Sequence, residues 1–142
     1  MDAFYPVWLG PQRFAIPATS VRGIEQVREY GSPTTALHTR WGRIPLCDLA
    51  ALSDPPPRDL DFRYALLIMY NHAWIGIVVD RIDDLVSVAQ TVLPLPPLVH
   101  DSILDPTISG VILLDDIPCV VLDLEAFVVT YWLVSQSNFM IP

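Results

Sequence analysis

Cations are scarce in this chain. Eight arginines and no lysine stand against sixteen acidic residues, for a net charge of −8. No basic run concentrates positive charge, which argues against phosphate-backbone binding and disfavours anionic membrane surfaces. Long apolar runs are missing too. Apolar residues make up 52 % of the chain but come in short stretches, none of the ~18 residues needed to span a bilayer. The longest late run, Ala126 to Val134, is expected to be a terminal strand or a docked apolar tail. The start, Met1-Asp2-Ala3-Phe4, lacks the basic and apolar regions of a signal peptide, so a cytoplasmic location is expected. Cysteine is limited to Cys47 and Cys119, both amid apolar neighbours. Two reduced core thiols are expected, with a disulfide as the alternative.

The usual signatures of chemistry are also absent. There is no Gly-rich phosphate loop and no Gly-x-Ser-x-Gly elbow. His38, His72 and His100 are far apart and lack ligand spacing with either cysteine, so no metal site and no cofactor is expected. His100-Asp101-Ser102 contains the three residue types of a triad, but adjacency in sequence is not triad geometry. Asp83-Asp84 and Asp115-Asp116 read as solvated turn carboxylates. No catalytic residue is assigned.

What the sequence does hold is one pattern written twice. Tyr5 to Ile16 is a strand, a turn and a strand, and so is Leu66 to Ile77. Val7 falls on Ile68, Phe14 on Ile75, Ile16 on Ile77, Val21 on Ile82 and Ile24 on Leu85, always 61 apart. Each half closes on a related phrase, Ile44-Pro45 to Asp48-Leu49 and Ile117-Pro118 to Asp123-Leu124, where the offset has grown to 73–75. The second half therefore carries about a dozen extra residues before its closing phrase. A half of about 65 residues is near the lower limit for an independent core, so the halves should lean on each other.

Fourteen prolines and many Val, Ile, Leu and Tyr runs argue for short strands and little helix. Gly10-Pro11, Asn71-His72 and Asp115-Asp116 are placed as hairpin turns. The strands around the last turn alternate poorly, which suggests burial on both faces. Asp48-Leu49 and Asp123-Leu124 should each cap a short helix, and a helical turn could sit near Asp101 to Asp105, ended by Pro106. The fold class expected is all-β: two small barrels of about five strands, closed to avoid open edges. The first subdomain covers about residues 1–58 and the second about 59–130. Residues 131–142 would form a tail on the barrels.

These phrases resemble the CheW-like domain, the adaptor module of bacterial chemosensory arrays. Trp74-Ile75-Gly76-Ile77-Val78-Val79-Asp80-Arg81-Ile82 looks like the family's run of apolar-Gly-apolar-apolar-Val-Asp. Val92 to Pro96 looks like its proline segment. Ile108-Ser109-Gly110-Val111-Ile112 and Val121-Leu122-Asp123-Leu124 look like its final hairpin and exit. In the first half, Arg13 to Pro17 and Ile44 to Leu49 fit the second strand and the strand ending in Asp-Leu. The resemblance covers roughly residues 5 to 130. It implies two SH3-like β-barrels and no catalytic activity. Its hallmark positions here are Gly76, Val79, Asp80, Gly110 and Asp123. The partners implied are the regulatory domain of a CheA-type histidine kinase and the cytoplasmic tip of a chemoreceptor, at membrane-associated arrays. One departure stands out. Residues 26–43 are too few for the family's proline segment, helix and Arg-Gly turn, and Trp41 stands where a glycine should follow Arg40. Ordinary receptor coupling is therefore in doubt. A regulator of a twitching or type IV pilus pathway, binding the kinase alone, is the first alternative. A ligand-binding or enzymatic double barrel using the cleft between halves is the second.

Arg40, Trp41 and Arg43 gather at one turn of an acidic chain. They are either partner anchors, or a hairpin end whose Trp packs down while the arginines stay solvated. Leu95, Pro96 and Leu98 are either a wall between the barrels or an exposed ledge for a partner. Asp80-Arg81 is part of the barrel frame, or a local turn pair.

Overall fold

The computed structural model describes residues 2–28, 36–52, 60, 62–89 and 107–133. The ledge Leu95, Pro96 and Leu98, the helical turn at 101–105, His100, and the tail beyond 133 lie outside them.

Eleven strands are formed by the described residues: β1 (Asp2–Leu9), β2 (Gln12–Pro17), β3 (Gly23–Arg28), β4 (Ala36–Thr39), β5 (Gly42–Asp48), β6 (Phe62–Tyr70), β7 (Ala73–Val79), β8 (Arg81–Ile82), β9 (Val86–Val88), β10 (Ile108–Leu114) and β11 (Ile117–Leu122). Three hairpins turn where the sequence predicts. Asn71 and His72 (φ 50° and 65°) and Asp115 and Asp116 (φ 52° and 62°) occupy the left-handed region at both central positions. That backbone matches the strand twist, and Asn and Asp tolerate it best. The β4–β5 turn is built differently. Thr39 pairs with Gly42 across Arg40-Trp41, and Gly42 takes the positive φ, at 104°. Glycine is thus still used at this turn, one place later than the resemblance predicts, which lets Trp41 stand at its tip.

The strands form two barrel-like sheets, in the order β10-β11-β2-β1-β8 with β9 also on β1, and β3-β6-β7-β5-β4. One sheet has the expected five strands. The other has six, because the run after β7 is broken at Asp83–Leu85 into β8 and β9, which both pair with β1.

The sheets do not coincide with the sequence halves. The β1–β2 hairpin joins strands of the second half, and the β6–β7 hairpin joins strands of the first. The exchange is reciprocal and keeps register. Val7 faces Phe14 as Ile68 faces Ile75. Glu25 faces Ala65 as Val86 faces Phe4. Leu46 runs parallel beside Gly76 as Val121 runs beside Ala15. Even the crossing bonds repeat, Arg22 N to Leu67 O at 2.8 Å and Asp83 N to Pro6 O at 2.9 Å. A division near residue 58 therefore cuts through both barrels.

Core packing follows from this exchange. The large cluster takes Val7, Leu9, Phe14 and Ile16 from one hairpin and Leu66, Ile68, Ile75 and Ile77 from the other. Each barrel has only a smaller core of its own. One holds Phe4, Ala15, Ile112, Leu114, Cys119 and Val121; the other holds Val27, Ile44, Ala65 and Leu67. The seam between the barrels is thus the principal core, as two undersized halves require. Strands at the seam are buried on both faces, with alternate residues serving alternate cores. Leu66 and Ile68 face the seam while Ala65 and Leu67 face the barrel. Two-faced burial also holds for β11, whose Val120 and Leu122 serve the seam and Cys119 and Val121 the barrel. It does not hold for β10. That strand alternates, with Gly110, Ile112 and Leu114 inside and Leu113 39 % exposed, because no layer among the described residues covers its outer face.

Both Asp-Leu phrases turn as expected. Asp48 Oδ1 accepts from Ala50 N at 2.8 Å before a 3₁₀ turn over Leu49–Leu52. Asp123 Oδ1 accepts from Ala126 N at 3.1 Å and starts helix α1 (Leu124–Phe127). The chain continues as a π-helical turn, Val128–Leu133. Of the two expectations for this run, the docked segment is observed and the strand is not. Phe127 and Val128 are fully buried in the seam. No helix among the described residues is long and apolar enough to cross a membrane.

Candidate functional site

The β4–β5 turn presents the aromatic and cationic groups singled out in the sequence. Trp41 stacks on Trp74 of β7, with centroids 5.2 Å apart and planes at 30°. The Arg40 guanidinium lies 4.3 Å from the Trp41 centroid, a cation–π contact. Trp41 is nevertheless 42 % exposed, and both arginines of the turn are exposed. The tryptophan therefore packs down and remains available at once. Thr39 Oγ1 fixes the turn by accepting from Trp41 N and donating to Gly42 O, both at 3.1 Å. Beside the stack lies an open cavity of about 520 Å³, walled by Trp41, Arg43, Pro45, Tyr70, Trp74 and Ile75. Apolar walls with an aromatic rim and a few polar groups suit the side chains of a partner.

The counterpart turn in the other barrel has the opposite charge. Asp115-Asp116 occupies it, and Arg13 stands where Trp74 stands in its barrel. Arg13 donates to Leu114 O at 3.1 Å and lies 3.8 Å from Asp115. Ile117 beside it is 57 % exposed. The two counterpart turns thus carry opposite charge, arginine and tryptophan in one barrel and aspartate in the other.

The family hallmarks are structural. A Cβ on Gly76 would meet Leu46 Cδ2 at 2.6 Å, so a larger residue there requires the Leu46 side chain to shift. Val79 is fully buried. Gly110 sits at the register shift of β10 against β11. Asp123 caps α1.

Asp80 belongs to a buried ionic cluster. Its Oδ2 accepts from Gly10 N at 2.7 Å and its Oδ1 from Arg63 Nε at 3.0 Å. Arg63 then reaches Asp48 with both terminal nitrogens, at 2.5 and 2.9 Å. The side chains of Arg63 and Asp80 are 6 % and 8 % exposed. This cluster ties β6 to the ends of β5 and β7 and to the β1–β2 turn, so Asp80 is frame rather than a local pair. Arg81 instead lies over Trp8, 4.6 Å from its centroid, and Trp8 Nε1 donates to Asp83 Oδ2 at 2.8 Å. Asp83 is therefore not merely a solvated turn carboxylate. Arg63, Arg13, Trp8 and Trp74 were not singled out from sequence. For Arg63 a signal was present: it falls on the inward period-two face of β6, in line with Ala65 and Leu67.

Both cysteines are free and buried. Burial, helped by the neighbouring Asp48 charge, pushes the Cys47 thiol up to about 12. Burial also raises Cys119, against the pull of Arg13. The thiolate is the reactive form, so Cys47 in the folded chain should resist thiol reagents at pH 8. Between about 8.5, the unfolded value, and the folded value, the folded state holds a proton the unfolded state has lost, so stability falls as pH rises. Alkaline urea titrations of wild type and Cys47→Ser check this, with the shallower loss expected in the variant. Among the described residues, no three His, Cys, Asp or Glu side chains converge to hold a metal ion.

A family model described as a CheW-like domain matches residues 6–130. No curated protein matches the chain significantly. Among solved structures, the chain is similar to the scaffolding protein TtCheW from Thermoanaerobacter tengcongensis, with a TM-score of 0.66 and 15 % identity over 87 % of this chain and 84 % of that one. At that identity the likeness speaks to the fold, two SH3-like β-barrels.

Proposed function

The chain belongs to the CheW-like domain family, and from that premise we propose that it is a non-enzymatic adaptor of bacterial chemosensory signalling that binds the regulatory domain of a CheA-type histidine kinase. The observation that carries this reading is the family match over residues 6–130, which takes in every described strand but the start of β1. The exposed Arg40, Trp41 and Arg43 tip and its cavity support a protein partner as the ligand. Trp and Arg are the residues most enriched at binding hot spots. Such an adaptor acts by placing its partners together at receptor arrays on the cytoplasmic side, raising their effective concentration. Leu95, Pro96 and Leu98 belong to the proposal as a second partner-facing segment.

Receptor contact is the part the chain's own length argues against. Seven residues, 29–35, separate β3 from β4, whereas nineteen, 89–107, separate β9 from β10. This shortened first-half connection supports a second reading, a regulator that binds the kinase without the receptor, as in a twitching or pilus pathway.

Co-elution on a sizing column separates these readings. A complex with the kinase regulatory domain is expected. Recruitment of a receptor-tip fragment to the chain would make it a coupler, and its exclusion would make it a kinase-only regulator. Failure to bind either partner would overturn the adaptor reading.

A further inference from the structure

The internal pseudo-symmetry exposes a difference between the barrels that the adaptor reading does not use. Arg63, Asp80 and Asp48 form the buried cluster of one barrel. Offsets of 61 and 75 map these positions onto Asp2, Thr19 and Asp123 of the other. The backbone frame is the same there, since Val27 faces Arg63 as Val88 faces Asp2. An aspartate, Asp2, stands at the position of the cation. Where Arg63 fills its barrel, the shorter Asp2 leaves an open cavity of about 450 Å³, lined by Asp2, Phe4, Pro17, Thr19, Ser109 and Val121. Its apolar floor is Phe4 and Val121, both buried. Its rim carries the Asp2 carboxylate and the Thr19 and Ser109 hydroxyls, with Ser109 Oγ held 3.2 Å from Val121 O. Asp123, counterpart of Asp48, stands two residues beyond Val121.

We propose that this cavity receives the guanidinium of an arginine from a partner protein, in the place that Arg63 fills in the other barrel. Guanidinium suits the site better than ammonium. It is planar and weakly hydrated, so it can lie on the apolar floor while its fork of donors meets carboxylate and hydroxyl oxygens at the rim. Asp48 shows the pattern in the filled barrel. Its Oδ1 takes both the Ala50 amide and the guanidinium.

The test is an amide NMR titration of the full chain with the blocked peptide acetyl-Ala-Arg-Ala-amide. The control peptide carries citrulline, which keeps the shape and loses the charge. Saturable shifts are expected at Thr19, Ser109 and Val121, with the citrulline peptide roughly tenfold weaker, the loss of a charge-assisted bond. Asp2→Arg, which refills the cavity from within, should abolish these shifts while the rest of the spectrum holds. Thr19→Asp, which supplies the carboxylate that Asp80 supplies in the filled barrel, should tighten the arginine peptide several-fold. Absence of saturable shifts at these amides, or equal shifts with citrulline, overturns the proposal. Shifts that grow with protein concentration alone would place an arginine of a second copy there and overturn the assignment to a partner. None of these outcomes depends on kinase binding.

Discussion

Replacing Arg63 with alanine should cost about 3–5 kcal/mol, because it takes the guanidinium away from a buried carboxylate. Asp80 is the group at risk. Its side chain is 8 % exposed, and with Arg63 gone it loses the guanidinium 3.0 Å away while keeping the Gly10 amide at 2.7 Å. Asp48 loses the same partner but is 48 % exposed, so water takes over there and little of the cost arises. The ion pair itself need not be strongly stabilising, since burying both charges costs much of what their attraction returns. What is costly is removing one side alone. Adding Asp80→Asn to Arg63→Ala keeps an acceptor for Gly10 and removes the stranded charge, so the double variant should recover more than half of the loss. Urea midpoints of the three variants measure this. A single variant within about 1 kcal/mol of wild type would mean the cluster is solvated and the frame argument fails.

Phe127→Ala should be of similar size, about 3–5 kcal/mol, the usual range for an emptied aromatic core site. Phe127 is fully buried in the seam cluster and stacks on Tyr131, with centroids 5.0 Å apart. The seam draws on both hairpins, and each hairpin belongs to a different barrel. Loss of Phe127 should therefore lower both barrels together in one transition, with circular dichroism and tryptophan fluorescence coincident. Separate transitions for the two probes would mean that the barrels stand alone and that strand exchange does not couple them.

The repeat, the hairpin turns and the capped Asp-Leu phrases were legible because each is local. A left-handed Asn or Asp pair, an N-cap and a period-two strand are decided by a few neighbouring residues. The exchange of hairpins between halves was not legible. A duplicated sequence is equally consistent with each half folding on itself, and the pairings of β3 with β6, β1 with β8 and β9, β5 with β7 and β11 with β2 decide otherwise. The strand count differed because Arg81–Ile82 and Val86–Val88 both pair with β1, on either side of the irregular residues 83–85. For the candidate site, Arg40, Trp41 and Arg43 were visible as an odd concentration in an acidic chain. Trp74 was not, because the residues that join it to Trp41 lie on strands 33 positions apart that meet only through the β5–β7 pairing. Arg63 was hidden for a related reason. Its partners Asp48 and Asp80 come from the ends of two other strands.

The adaptor role is tested most directly by the dissociation constant between the full chain and a kinase regulatory domain, measured for wild type and for Trp41→Ala by titration calorimetry. Trp41 is partly exposed and lies outside the buried clusters, so the variant should stay folded. The account predicts binding by wild type and a loss of ~30-fold or more in the variant, the 2 kcal/mol of a hot-spot aromatic. Equal affinities would contradict placing the partner at the β4–β5 tip, and no binding by the folded wild type would contradict the adaptor role itself.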